Sequence, residues 1–243
     1  VTLRLVLSAL VLLAICRPTL RGYSRADWIT VGLYGLALGG MNAAYYEAIA
    51  RIPQGAAVTL EVLGPLTLSV IAGRRWTSVL WAVLALAGVV VLSQGGFGSL
   101  DPLGVAFALL AAVLWAGYIV FAARTGGRFP KLDGLALAMT AGAIVSLPFG
   151  IATAGSALIL PPVLALGLAV AVLSSVVPYA LELLALRRIR SSTFSILMSL
   201  SPGAAALSGF LVLGQRLSWL EALGIALVVA ASVGAVRSAA RRG

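Results

Sequence analysis

Apolar residues run through this chain in long blocks, broken by short polar stretches. Between Asp133 and Glu182 lie 48 consecutive residues without a charge. One bilayer crossing needs about 20, and Pro161-Pro162 divides the run into two spans. The same pattern elsewhere predicts nine spans in all. They fall near Leu3–Ile15, Trp28–Ile49, Gln54–Ala72, Thr77–Leu92, Pro102–Ala122, Leu132–Ala152, Pro162–Leu186, Ser192–Leu213 and Ser218–Ala235. Their connections are short and punctuated by Pro, Gly and Arg. Arg17, Pro18 and Arg21 follow the first span where a signal peptide would carry a small-residue cleavage site, so it reads as a helix. The expected fold class is all-α: a polytopic membrane bundle.

Composition narrows the chemistry. The 243 residues are 61% hydrophobic and 10% charged, against roughly 25% charged in soluble domains. There is no His, one Cys (Cys16) and one Lys (Lys131). That excludes an internal disulfide and a Cys-cluster metal site. The lone Lys lies outside any GxxxxGK pattern, which removes a P-loop. Little remains for nucleophilic or metal chemistry, so neither an enzyme nor a cofactor is expected. A net charge of +10 could suggest nucleic acid. The basic residues lie at span ends, however, so membrane topology explains them and the bilayer is the expected partner.

Those charges assign orientation. Arg17, Arg21 and Arg25 follow the first span, Arg74 and Arg75 the third, and Arg124, Arg128 and Lys131 the fifth. Arg187, Arg188 and Arg190 follow the seventh, and Arg237, Arg241 and Arg242 the last. The other side holds Arg4, Arg51 and Arg216. The richer side is cytoplasmic, which puts the C-terminus inside and Val1 outside. The simplest completion adds a first helix before Val1, giving ten helices with both ends inside. A weak internal repeat agrees. Arg51-Ile52, Leu60 and Pro65 have the spacing of Arg188-Ile189, Leu197 and Pro202, and Gly73 and Arg75 echo Gly214 and Arg216 with four extra residues. The two copies start on opposite sides, as in inverted-topology repeats. The expected organisation is 5+5: residues 1–96 form a first repeat lacking its first helix, and residues 97–243 the second.

Few acids lie within this apolar chain. Asp27, Asp101, Asp133 and Glu221 sit at span ends, where a solvated charge is expected. Glu61 is deeper, eight residues past Pro53, or about 12 Å into a core of about 30 Å. A carboxylate there is costly unless it faces a cavity, finds a partner or is protonated. Function is favoured over a structural Glu bonded to neighbouring helices. Glu182 follows Pro178 and Tyr179, and Pro178 frees a backbone carbonyl one turn back. An interfacial Glu182 paired with Arg187 or Arg188 is an equal reading. Glu47 precedes Arg51 by four residues, the order for an i,i+4 ion pair, and is expected to be structural. Gly64-Pro65 follows Glu61, and Ser201-Pro202 occupies the matching place in the second copy; such breaks either expose backbone to a substrate or simply kink the helix. Asn42, Tyr45, Tyr46, Trp115 and Tyr118 could line the same cavity, although aromatics near helix ends are more often interfacial anchors. Gly35 and Gly39 form a GxxxG suited to close helix packing. The candidate substrate- and proton-binding residues are Glu61, Glu182, Pro65, Asn42, Tyr45, Tyr179, Trp115, Tyr118 and Pro202.

Several of these blocks carry a family likeness. They are GGMNAAYYEAI (Gly39 to Ile49), GAAVTLEVLGPL (Gly55 to Leu66), LWAGYIV (Leu114 to Val120), GLAVAVLSSVVPYALELLALRRI (Gly167 to Ile189) and TFSILMSLSPGAAALSG (Thr193 to Gly209). The chain resembles the drug/metabolite transporter superfamily, EamA type, and within it the threonine/homoserine exporters. The resemblance implies ten helices in two inverted halves. It implies export of small amino acids such as threonine or homoserine across the cell inner membrane, driven by proton exchange. Amino acid and proton would be the small-molecule partners, and a homodimer is compatible with this reading. An exporter of another metabolite or drug with the same fold, or a non-transporting fragment, is the alternative. Two positions depart from the family pattern: Ser201 where a Glu usually precedes the second-half proline, and Gly214-Gln215 where Gly-Glu is usual. Both bear on substrate choice or coupling.

Overall fold

Each apolar block becomes a helix, because a backbone in hydrocarbon must bond to itself. The computed structural model describes residues 1–73, 80, 81, 83–85, 87, 88, 91, 101–188, 201–214 and 218–240. Helix α1 is Thr2–Cys16, α2 Arg25–Ile49, α3 Gln54–Glu61 and α4 Leu63–Gly73. Helix α5 is Pro102–Gly126 and α6 Asp133–Ala154. Helix α7 (Pro161–Ala171) continues through a π-helical turn, Val172–Val176, into α8 (Val177–Arg188). Helix α9 is Ser201–Leu213 and α10 Trp219–Ala240. The described residues between 80 and 91, inside the fourth predicted span, are helical as well. No strand occurs among the described residues. Among the described residues three segments, Pro102–Gly126, Asp133–Ile159 and Pro161–Glu182, are long and apolar enough to cross a membrane.

The breaks follow the expected punctuation. Helix α6 ends at Gly155, which takes a positive φ of 51° that favours glycine. A 3-10 turn, Gly155–Ile159, leads to Pro161 at the start of α7, where its missing N–H costs nothing. The predicted third span is divided at Val62 into α3 and α4. The second-copy segment holding Ile189 and Leu197, together with Gln215 and Arg216, lies outside the described residues.

Large apolar side chains are common on the outside. On α6 the buried face mixes Gly134, Ala136, Ala138, Gly142 and Ala143 with Leu135, Leu137 and Met139, while Ile144, Phe149 and Ile151 are exposed. Phe149 is 70% exposed and Val212 on α9 79%. Large apolar side chains outside suit a lipid solvent, and small residues at helix contacts let backbones approach. This is an all-α, multi-pass membrane protein.

The chain forms two compact units. The first comprises Val1–Ala43 and Gly117–Arg188. In it α1 packs on α6, α7 and the π turn through Leu5, Ser8, Ala9 and Leu12. The GxxxG expectation is met there. A Cβ on Gly35 would collide with the Ala138 carbonyl and lie 2.9 Å from the Gly142 nitrogen, so α2 and α6 touch backbone to backbone. The second unit comprises Ala44–Ala116 and Ile189–Gly243. Its core gathers Ala48, Ile52, Ala56, Ala57, Leu60, Ala108 and Ile225. Gly64 lies against the Ala112 carbonyl, closing α4 onto α5.

The four span-end acids divide. Asp27 answers Ser24: the Ser24 N–H donates to its Oδ2 at 2.9 Å and the Asp27 N–H to Ser24 Oγ at 3.2 Å. Glu221 does the same at α10, accepting from the Ser218 N–H at 2.6 Å and donating its own N–H to Ser218 Oγ at 3.2 Å. These are reciprocal caps that satisfy helix-start donors. Glu221 and Asp133 are also buried, which corrects the expectation of a solvated charge at those two positions. Asp101 accepts from the Leu103 N–H at 3.0 Å.

Candidate functional site

In the first unit, four sequence-predicted residues come together. Tyr34, Leu38 and Asn42 stand four residues apart on α2, which puts them on one face. Ser175, Tyr179 and Glu182 likewise share a face of the π turn and α8. Asn42 is 5% exposed and fully engaged. Its Nδ2 donates to the Leu38 carbonyl at 2.8 Å and to the Tyr179 hydroxyl at 3.3 Å. Its Oδ1 accepts from Arg4 Nη2. Tyr118, on α5, hydrogen-bonds to Glu182 and shares a hydrogen bond with Tyr34. The rings of Tyr34, Tyr118 and Tyr179 follow one another at 5.4 and 5.9 Å between centroids. Asn42, Tyr118 and Tyr179, predicted as lining residues, therefore form one network with Glu182, and Glu182 is only partly buried. The side chains of Arg187 and Arg188 lie outside the described set.

Arg4, Ser174 and Tyr34 join this network without being singled out by the sequence. In the sequence Arg4 reads only as an external charge. Its guanidinium turns inward to Asn42 and, through Nη1, to Ser174 Oγ at 3.3 Å. Ser8, one turn on, donates to the Ala171 carbonyl at 3.3 Å. An Arg and a Ser four apart on an otherwise apolar helix were the available signal. The π turn is another such feature. Pro178 has no N–H for the carbonyl of Ser174, four residues back, and the backbone widens just before it.

In the second unit, Glu61 is the last residue of α3, partly buried, at the point where the helix gives way to α4. Pro65 cannot donate to the Glu61 carbonyl, so the break exposes a backbone acceptor beside the side chain. Tyr45 and Trp115 pack on Val58, Val62 and Ala205, which flank Glu61 along the chain and reach α9. No hydrogen bond or ion pair of the Glu61 carboxyl occurs among the described residues. Pro202 lies in the first turn of α9. Tyr46 is 38% exposed, as befits an interfacial anchor. Glu47 is structural as expected: its Oε2 lies 2.5 Å from Arg51 Nη1. Arg51 also approaches Asp101 at 3.9 Å and lies over the Phe107 ring at 5.2 Å. No metal-binding cluster occurs among the described residues.

The first unit thus sets Glu182 beside tyrosines and an amide, and the second sets Glu61 at a helix break near Tyr45 and Trp115. Residues 102–237 match the EamA-like transporter family. Over 234 residues, 96% of this chain, the sequence is 39% identical to the threonine/homoserine exporter RhtA of Salmonella typhimurium (strain SL1344), covering 79% of that protein. The RhtA of Escherichia coli (strain K12) is 38% identical over the same share. The uncharacterized transporter YcbK of Bacillus subtilis (strain 168) is 29% identical over 163 residues, 62% of this chain and 52% of its own. One crystal structure superposes with a TM-score of 0.68 at 21% identity, covering 99% of this chain and 87% of its own, which speaks to fold alone. With half the chain matched by the family model and most of it by relatives, this protein belongs to the EamA-like transporter family.

Proposed function

We propose that this protein exports small amino acids of the threonine and homoserine class across the inner membrane, in exchange for protons. The observation that carries the reading is Glu182, a partly buried acid at the end of an apolar span, held by Tyr118 beside Asn42 and Tyr179. Intramembrane acids are expensive and mark solute or proton paths. The relatives named above as threonine/homoserine exporters support the substrate class. Glu61 is the second carboxyl. A carboxyl that holds a proton while empty avoids the cost of a buried charge. When a pathway opens, that proton leaves and the carboxylate binds the substrate ammonium. The order reverses on the other side, so protons enter as amino acid leaves. Membrane potential supplies about 2.3 kcal/mol per charge per 100 mV, enough to concentrate a solute several-fold. Tyr45, Trp115, Pro65 and Pro202 line the path near Glu61 in this reading, and the C-terminus is cytoplasmic.

The test is efflux of labelled threonine from loaded vesicles, with and without a pH gradient. Glu61→Gln and Glu182→Gln keep shape and hydrogen bonding, and each is expected to abolish proton-driven export while the protein stays in the membrane. Glu61→Asp is expected to retain part. Wild-type export and gradient response in both Gln variants would refute the carrier role. A panel of labelled metabolites that leaves amino acids untransported would overturn the substrate class.

A further inference from the structure

Arg4 is an odd residue to find in the first turn of α1. The helix dipole opposes a cation there, and hydrocarbon opposes it further. Its side chain bridges α2 and the π turn. Nη2 donates to the buried Asn42 Oδ1, and Nη1 to Ser174 Oγ at an exposed position. Ser8, one turn on, fastens the same face of α1 to the Ala171 carbonyl, just before the π turn. Ser175, the next residue of that turn, is fully buried, and its hydroxyl has no hydrogen-bond partner among the described residues. A buried hydroxyl without a partner is costly, and π turns recur where a helix serves a ligand.

We propose that Arg4, with the hydroxyls of Ser174 and Ser175, forms the subsite for the substrate's α-carboxylate. The proposal rests on the amino-acid exporter reading and assigns the end of the substrate which that reading leaves open. A guanidinium is planar and presents paired N–H donors that match the two oxygens of a carboxylate. The serine hydroxyls add donors on the π turn. From this subsite the polar line continues through Asn42 to Tyr179, and Glu182 follows Tyr179 by one turn. A neutral amine or an apolar drug has nothing to offer Arg4.

The experiment is exchange of labelled threonine in proteoliposomes of the full chain, with competition by threonine amide, which keeps the ammonium and removes the carboxylate. In wild type the amide is expected to compete at least tenfold more weakly than threonine. Arg4→Gln should raise KM for threonine by tenfold or more and abolish that discrimination, and Arg4→Lys should restore part of it. Ser175→Ala should raise KM several-fold with little change in kcat. A purely structural Arg4 would change threonine and its amide alike. Should Arg4→Gln fail to reach the membrane, the wild-type competition and Ser175→Ala still decide. Equal competition by the amide in wild type overturns the subsite while leaving the exporter intact. A wild type that exchanges no amino acid overturns the exporter reading itself.

Discussion

Asn42→Asp separates a structural from a substrate-binding Arg4. The change is nearly isosteric and puts a carboxylate where the amide oxygen accepts from Arg4. At about 3 Å and an effective dielectric of about 20, the new attraction is about 5 kcal/mol. Desolvating the carboxylate costs several kcal/mol, leaving a net of about 0–2 kcal/mol in favour of the folded state. Two donations from Nδ2 are lost. The Leu38 carbonyl keeps its helical bond from the backbone N–H of residue 42, four positions on. The Tyr179 hydroxyl can turn and donate to the new carboxylate, which recovers most of a bond worth roughly 0.6–1.7 kcal/mol in a membrane. The melting temperature in detergent should therefore hold or rise. Transport should not. The new carboxylate occupies the guanidinium that the substrate needs, and KM for threonine should rise at least tenfold, about 1.4 kcal/mol. Asn42→Ala, by contrast, should lower stability by about 1.5–3 kcal/mol through loss of a hydrogen bond to a charged group. A raised melting temperature with unchanged KM in Asn42→Asp would mean that Arg4 serves the fold and not the substrate.

Two further outcomes test the packing and the topology. Gly64→Ala should cost about 1–3 kcal/mol, because the methyl must displace the Ala112 carbonyl; Gly32→Ala, with open space around it, is the matched control, and equal melting temperatures for the two would refute the close approach. A reporter fused after Gly243 should be cytoplasmic and one in the loop before Asp101 external, and the opposite result at either place would overturn the charge-based orientation.

Where the argument from sequence held, it rested on local rules. Pro161-Pro162 opened a new helix, Gly35 and Gly39 marked a helix contact, and Glu47–Arg51 closed an i,i+4 ion pair. Each needs no more than a turn or two of chain to be recognised. Glu221 shows the limit of that reading. Its position at a span end suggested solvation, but the reciprocal cap with Ser218 and its burial depend on how the helix start is packed.

The hydrophobic pattern by itself determined the fold class and the short list of acids within apolar stretches, because hydrocarbon penalises every unpaired backbone group and every charge. It ranked Glu61 above Glu182 by depth along the chain. The tertiary structure alone decided which polar groups share a network. Asn42, Tyr118, Tyr179 and Glu182 come from three helices far apart in sequence, and Arg4 joins them from a fourth. No periodicity along one helix encodes such a meeting. It arises because small residues let backbones approach closely, and buried donors and acceptors, with no water to turn to, must find each other across the gap.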